Sequence, residues 1–138
     1  MAGDAGALSE SVQDCARCLW IDYERQANSL TRGHPVKMIH GNGFTGTRPW
    51  EALDIATLNG ITVRLHWTDQ PYKWHVNDGE EVFAVLDGCV EMRYREAGIE
   101  KSVLLQVGDI FHATVGTEHV AHPQGAARIL VVESEGSV

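Results

Sequence analysis

The sequence has few cysteines, few prolines and few basic residues. Three cysteines among 138 residues are a small, odd number, which suits a reducing cytoplasm better than a disulfide framework. Eleven basic residues against nineteen acidic ones give a formal net charge of −8. Binding to nucleic acid or to an anionic membrane surface needs the opposite balance. We therefore expect a cytoplasmic protein with no nucleic-acid partner and no membrane partner.

Long hydrophobic runs are absent as well. The longest apolar stretches, such as residues 129–132, have the length of a strand, whereas a membrane-spanning helix needs about 20 apolar residues. The first ten residues lack the basic start and apolar run of a secretory signal. Hydrophobic residues make up 43% and charged residues 22% of the chain, which is ordinary for a globular protein with one main core.

The N-terminal region has the periodicity of an amphipathic helix that ends near Gly33 and Pro35. We therefore predict a helical extension over residues 1–33, followed by a separate domain over residues 34–138. Apolar residues recur there every three or four positions, at Leu8, Val12, Cys15, Leu19, Tyr23, Ala27 and Leu30.

From Val36 onward, short runs of β-branched and aromatic residues are divided by Gly, Asp and Pro. Many short strands at such spacing predict a closed or sandwiched antiparallel sheet. The Asp87-Gly88 pair predicts a tight hairpin turn, and residues 96–99 predict a second turn. Strands are expected at 36–40, 61–67, 82–86, 90–95, 101–106, 110–113, 120–122 and 128–133.

Two segments carry side chains that suit metal chemistry. In the strand that begins at Glu81, alternation places Glu81 on the same face as Phe83 and Val85. A carboxylate among buried apolar residues needs a cation or several donors to offset its desolvation. The second segment starts at Gly108 and leads through a glycine-containing turn into a strand that begins near His119.

These segments resemble the two motifs of the cupin superfamily, and the resemblance covers about residues 36–138. The first motif of that family runs G-x5-H-x-H-x3/4-E-x6-G, and the second runs G-x5-P-x-G-x2-H-x3-N. The positions of this chain that match are His75, Glu81, Gly88, Gly108, Gly116 and His119. Four positions depart from the pattern. Asp69 replaces the opening Gly, Asn77 the second His, Thr114 the Pro and Pro123 the final Asn.

The resemblance implies a mostly β fold, an antiparallel β-barrel or double-stranded β-helix (the cupin jelly roll), here preceded by the N-terminal α-helix. It also implies that His75, Glu81 and His119 converge on one divalent metal ion, which could be Fe, Mn, Zn, Ni or Cu. Asn77 could add a carboxamide oxygen to that metal site or donate a hydrogen bond to one of the ligands. The competing interpretation is a degenerate cupin whose histidines and glutamate form a hydrogen-bonded polar core without metal.

Two functions follow from this resemblance. The first is a metal-dependent enzyme, an oxygenase or an isomerase, acting on a small organic molecule in an apolar cavity. The second is a non-catalytic cupin that binds a small ligand, with a degenerate or empty metal site. No separate general acid or base is evident, so the reaction is not named, and a homodimer is expected in either case. The remaining histidines are expected to be structural or exposed: His34, His40, His66, His112 and His122.

Overall fold

A computed structural model of the protein describes residues 35–137. Within this range nine strands form two antiparallel sheets, in agreement with the predicted mostly β fold. The first sheet has the strand order β1-β2-β9-β4-β7, and the second has the order β3-β8-β5-β6. The strands are β1 (Glu51–Leu58), β2 (Ile61–Thr68), β3 (His75–Val76), β4 (Glu81–Asp87), β5 (Val90–Glu96), β6 (Ile99–Leu105), β7 (Ile110–Ala113), β8 (Glu118–Pro123) and β9 (Ala127–Ser134).

The two sheets enclose one hydrophobic core. Strand alternation turns one face of each sheet inward, and the side chains on those faces are apolar near the middle of the barrel. The buried core cluster consists of Phe83, Val85, Val90, Met92, Leu105, Ala121, Ala127, Ile129 and Val131. This packing confirms that Phe83 and Val85 of β4 face inward, as their alternation predicted.

Seven of the eight predicted strands are present, with ends that differ by up to two residues. The prediction of a strand at residues 36–40 is wrong, because that segment pairs with no other strand and exposes Val36 and Met38. Strands β1 and β3 were not predicted. Half of the eight residues of β1 are Ala or Leu, which have no strong preference for strands, and β3 is only two residues long.

The predicted hairpin at Asp87-Gly88 is also wrong. The turn is tight and Gly88 has a φ of 79°, but β4 and β5 belong to different sheets. This turn therefore carries the chain from one sheet to the other. The turn at residues 96–99 does form a hairpin, since β5 and β6 pair, beginning with Glu96 opposite Ile99. Positive φ values at Ala97 and Gly98 give the backbone twist that such a turn needs.

The N-terminal helix predicted over residues 1–33 lies outside the described residues, so the boundary at residue 34 stays a prediction. All nine strands fall between Glu51 and Ser134. Within residues 35–137, no helix has the length and apolar character that crossing a membrane requires.

Candidate functional site

The four predicted site residues come together at one end of the barrel interior, Asn77 through a hydrogen bond to Glu81. His75 on β3 and His119 on β8 are direct cross-strand partners in the second sheet. Glu81, the first residue of β4, belongs to the first sheet. One ring nitrogen of each histidine and a carboxylate oxygen of Glu81 all lie within 4.8 Å of one another. The site therefore bridges the two sheets.

Backbone carbonyl groups fix the orientation of both imidazole rings. The Nδ1 of His75 is 3.0 Å from the Lys73 carbonyl oxygen, and the Nδ1 of His119 is 3.0 Å from that of Thr117. A carbonyl oxygen can only accept, so each Nδ1 carries the hydrogen and donates it. In the neutral ring the lone pair is then on Nε2. Metal-binding histidines are commonly held in this way.

Glu81 and His119 are in direct contact. The distance between His119 Nε2 and Glu81 Oε2 is 3.0 Å, and both side chains are almost fully buried. Burial lowers the pKa of His119, but the hydrogen bonds to Glu81 and to the Thr117 carbonyl outweigh burial and raise it. Burial raises the pKa of Glu81, but the hydrogen bond and the positive charge of His119 outweigh burial and lower it. A proton therefore lies between the two groups.

Asn77 is buried, with 7% of its surface exposed, and its amide donates to the Glu81 carboxylate. The same Nδ2 is 3.4 Å from the Oε2 of Glu133. Its Oδ1 is buried and has no hydrogen-bond partner among the described residues. The amide nitrogen thus acts as a donor to Glu81, while the amide oxygen has no partner among the described residues.

Glu133 is a carboxylate of this site that sequence reasoning missed. It lies directly opposite Glu81 in the β4–β9 pairing and is buried. Burial, together with the neighbouring charge of Glu81, raises the pKa of Glu133. The alternation Ile129, Val131, Glu133 could have revealed it, because the same argument placed Glu81 beside Phe83 and Val85.

A cavity of about 630 Å³ opens beside His75, Glu81 and His119, a volume typical of small-molecule sites. Phe83 and Met92 line it. Trp50 and Tyr72 form part of its wall, with ring centroids 5.0 Å apart. Tyr72 in turn contacts the edge of His75, with centroids 5.0 Å apart, so an aromatic wall leads from the cavity to the histidines.

His66 also lines this cavity, together with Arg64, and both come from β2. His66 was expected to be structural or exposed, and its position in the cavity wall is an outcome that the sequence did not indicate. The apolar residues of β2 are Ile61, Val63, Leu65 and Trp67, and their alternation predicts that the opposite, polar face points to solvent. In the structure, that polar face turns toward the cavity.

Comparison with known proteins identifies the fold. No protein-family model matches the sequence, and no curated protein is significantly similar to it. A cupin-2 domain protein from Shewanella frigidimarina is similar in structure, with a TM-score of 0.58, 24% identity, and coverage of 65% of this chain and 85% of that one. A cupin superfamily protein from Desulfitobacterium hafniense has a TM-score of 0.54, 13% identity and coverage of 66% and 84%.

The class that the two sheets and their order define is therefore the cupin fold, as the two motifs predicted. Iron(II) HppE, solved in complex with a substrate, shares this fold, with a TM-score of 0.53 and 19% identity. The match covers 67% of this chain and 58% of HppE. HppE has also been solved with cobalt(II). Thus one structural neighbour of this chain contains a divalent metal.

Proposed function

We propose that the protein binds one divalent metal ion through His75, Glu81 and His119 and acts on a small organic molecule in the adjacent cavity. The observation that carries this proposal is the convergence of three ligand atoms within 4.8 Å. Ligands bound to one ion at 2.0–2.2 Å lie about 3–4 Å apart. Small shifts of the side chains are therefore enough to form the site.

The tautomers support the same interpretation. Because Nδ1 of each histidine donates to a backbone carbonyl, both rings are oriented to offer Nε2 to an ion. His119 would release the proton that it shares with Glu81, as metal binding generally requires. In Asn77, the amide donating to Glu81 would hold the carboxylate in place, and Oδ1, which has no hydrogen-bond partner among the described residues, would supply a fourth, weaker ligand. This donor set suits Fe, Mn, Zn, Ni or Cu.

Two histidines and one carboxylate leave coordination positions open. A metal ion held in this way supplies Lewis-acid chemistry or a place for O₂ to bind. Phe83, Met92 and the aromatic wall of Trp50 and Tyr72 would bind the apolar part of the substrate and exclude water from it. We therefore favour a metal-dependent oxygenase or isomerase.

A second candidate is a non-catalytic cupin that binds a small ligand without metal. The direct contact between His119 and Glu81, supported by Asn77, favours it. These three groups already satisfy much of one another's hydrogen bonding, as a structural polar core would. The two candidates make opposite predictions about metal content.

The deciding experiment is elemental analysis of full-length protein purified without chelator and then titrated separately with Fe(II), Mn(II), Zn(II), Ni(II) and Cu(II). We expect one ion per chain for at least one metal, and loss of that ion in His119→Ala. His112→Ala is the matched control, because His112 also contacts a carboxylate, 3.2 Å from Glu80, but on the surface. If no metal binds, or if both variants retain it equally, the metal site proposed here is wrong.

A further inference from the structure

The polar face of β2 forms one wall of the cavity. Arg64 and His66 project from this face, two residues apart on the same strand. Strand pairing through β9 places Arg64 in the same cross-strand row as Val131 and Phe83. Glu81 lies one row away along the barrel. A small molecule can therefore contact Arg64 at one end and the His75, Glu81 and His119 cluster at the other.

His66 has no hydrogen-bond partner for either ring nitrogen within residues 35–137, although both nitrogens are buried. Burial lowers the pKa of His66, which favours the neutral ring with one donor and one acceptor. An unsatisfied buried polar atom costs about 1–3 kcal/mol. Both nitrogens are closed to a water-sized molecule in the cavity, so the ring has to turn before a ligand can supply the missing partners.

Arg64 is only weakly paired within the protein. Its Nε is 3.5 Å from the Oδ1 of Asp54, whose side chain is 88% exposed. This contact lacks hydrogen-bond geometry, since Nε has no hydrogen-bond partner in the described part of the chain. An exposed ion pair of this kind contributes little to stability, so most donors of the guanidinium are available to a ligand.

The other carboxylates of the cavity are engaged elsewhere. Glu51 accepts hydrogen bonds from the backbone of Thr47 and Arg48 and from the Thr47 hydroxyl. Glu133 accepts from Asn77. Neither carboxylate is hydrogen-bonded to Arg64, although Arg64 is close enough to Glu133 for its charge to act on that carboxylate, so the hydrogen-bond donors of Arg64 stay available to a ligand.

We propose that Arg64 and His66 form a recognition subsite for the carboxylate of a small organic acid. A guanidinium matches a carboxylate in shape and charge and binds it through two parallel hydrogen bonds. After a turn of its ring, His66 donates a third hydrogen bond, and its other nitrogen accepts from a hydroxyl group of the ligand or from water. The apolar part of the acid lies against Phe83 and Val131. This inference rests on the proposed function, because it names the substrate class of the same cavity.

The test measures binding of three carboxylates to the full-length protein by calorimetry: acetate, butanoate and benzoate. Ethanol, 1-butanol and benzyl alcohol serve as uncharged probes with the same carbon skeletons. All measurements are made on metal-free and on metal-loaded protein, because a carboxylate could also bind to the ion. We expect at least one acid to bind ten times more tightly than its alcohol in both forms.

In Arg64→Gln, the dissociation constant of that acid should rise about tenfold, which is the loss expected for one charge-assisted contact. His66→Phe should weaken binding in the same direction and gives a second position should Arg64→Gln fold poorly. Arg93→Gln is the matched control, because Arg93 pairs with Glu91 on the surface, outside the cavity. It should leave binding unchanged.

The two proposals can fail separately. If alcohols bind as well as acids, if no acid binds, or if neither Arg64→Gln nor His66→Phe weakens binding, the carboxylate subsite is wrong even when the protein takes up metal. If the acid preference depends on Arg64 but no metal binds, the proposed metal centre is wrong and the subsite stands.

Discussion

At the scale of single residues, the hydrogen bond that each histidine makes to the carbonyl two residues earlier decides what its ring can do. Strand pairing brings the two rings together, because His75 and His119 face each other across β3 and β8. The motifs predicted that the two residues meet. They did not predict the tautomers, which depend on backbone positions that a sequence pattern does not specify.

Asn77 gives the sharpest residue-level prediction. Asn77→Asp keeps the shape of the side chain but replaces the donor that faces Glu81 and Glu133 with a third carboxylate. We expect the free energy of unfolding of the metal-free protein to fall by about 1–3 kcal/mol, and a bound divalent ion to restore part of the loss. Thermal unfolding with and without metal measures both effects.

Asn59→Asp is the control for this substitution, because Asn59 is exposed in the turn between β1 and β2. Its effect should stay within about 0.5 kcal/mol. Equal stability of the metal-free Asn77→Asp and wild-type proteins would contradict the donor role of Asn77.

His66 predicts a pH dependence of stability. Burial holds its pKa in the folded protein below the ordinary value of 6.5, so the unfolded chain binds a proton more readily. The stability associated with neutral His66 is complete above pH 6.5 and falls as the pH drops below that value. His66→Gln, which does not titrate, should therefore flatten the fall in stability below pH 6.5.

Denaturant unfolding of both proteins at several pH values checks this expectation. The difference between the two curves isolates His66, because the other histidines are common to both proteins. If the two proteins differ by the same free energy of unfolding at pH 7.5 and at pH 5, His66 does not titrate differently in the folded and unfolded states.

At the scale of strands, the sequence pattern predicted the inward-facing residues where one face of the strand is apolar and buried. It did not predict them where the inward face depends on which strands pair. The alternation in β4 identified inward-facing residues because Phe83 and Val85 on its inner face are apolar and buried. In β2, both faces are used: Leu65 is fully buried on one face, while Arg64 and His66 line the cavity on the other. Periodicity alone does not indicate which face points inward in such a strand.

The turn after β4 gives a prediction at this scale. Gly88 has a φ of 79°, and a Cβ there would overlap the Ala126 carbonyl oxygen and lie 3.0 Å from the Cα of Ala127. Gly88→Ala should lower the free energy of unfolding by about 2–4 kcal/mol, since it combines backbone strain with a steric clash.

Gly98→Ala separates these two costs. Gly98 has nearly the same φ, 77°, but nothing lies within 4 Å of its Cβ position. Backbone strain alone should cost about 1 kcal/mol. Denaturant unfolding of both variants gives the comparison, and equal losses would show that the close approach to Ala126 does not constrain Gly88.

At the scale of the whole molecule, most of the barrel could be predicted and the cavity could not. Seven strands, the cupin fold and the convergence of His75, Glu81 and His119 followed from local patterns and family spacing. The polar wall of β2 and the position of Glu133 depend on which strands become neighbours across the barrel. The expected homodimer stays a prediction, which light scattering of the full-length chain tests.

Metal loading should stabilise the entire domain if the proposed site exists. At a free metal concentration one hundred times the dissociation constant, the gain is about 2.7 kcal/mol. For a domain of this size, the melting temperature should rise by roughly 10 °C. Addition of a chelator should reverse the shift, which differential scanning calorimetry measures. A melting temperature indifferent to metal and chelator would instead favour the non-catalytic alternative.

Strand β3 has only two residues and pairs with β8 alone, while Glu81 stands on the opposite sheet. An ion held by His75, His119 and Glu81 would thus cross-link the two sheets, which the hydrogen bond between His119 and Glu81 already joins at this end. The affinity of the protein for the metal would then depend on how firmly the two sheets are held together.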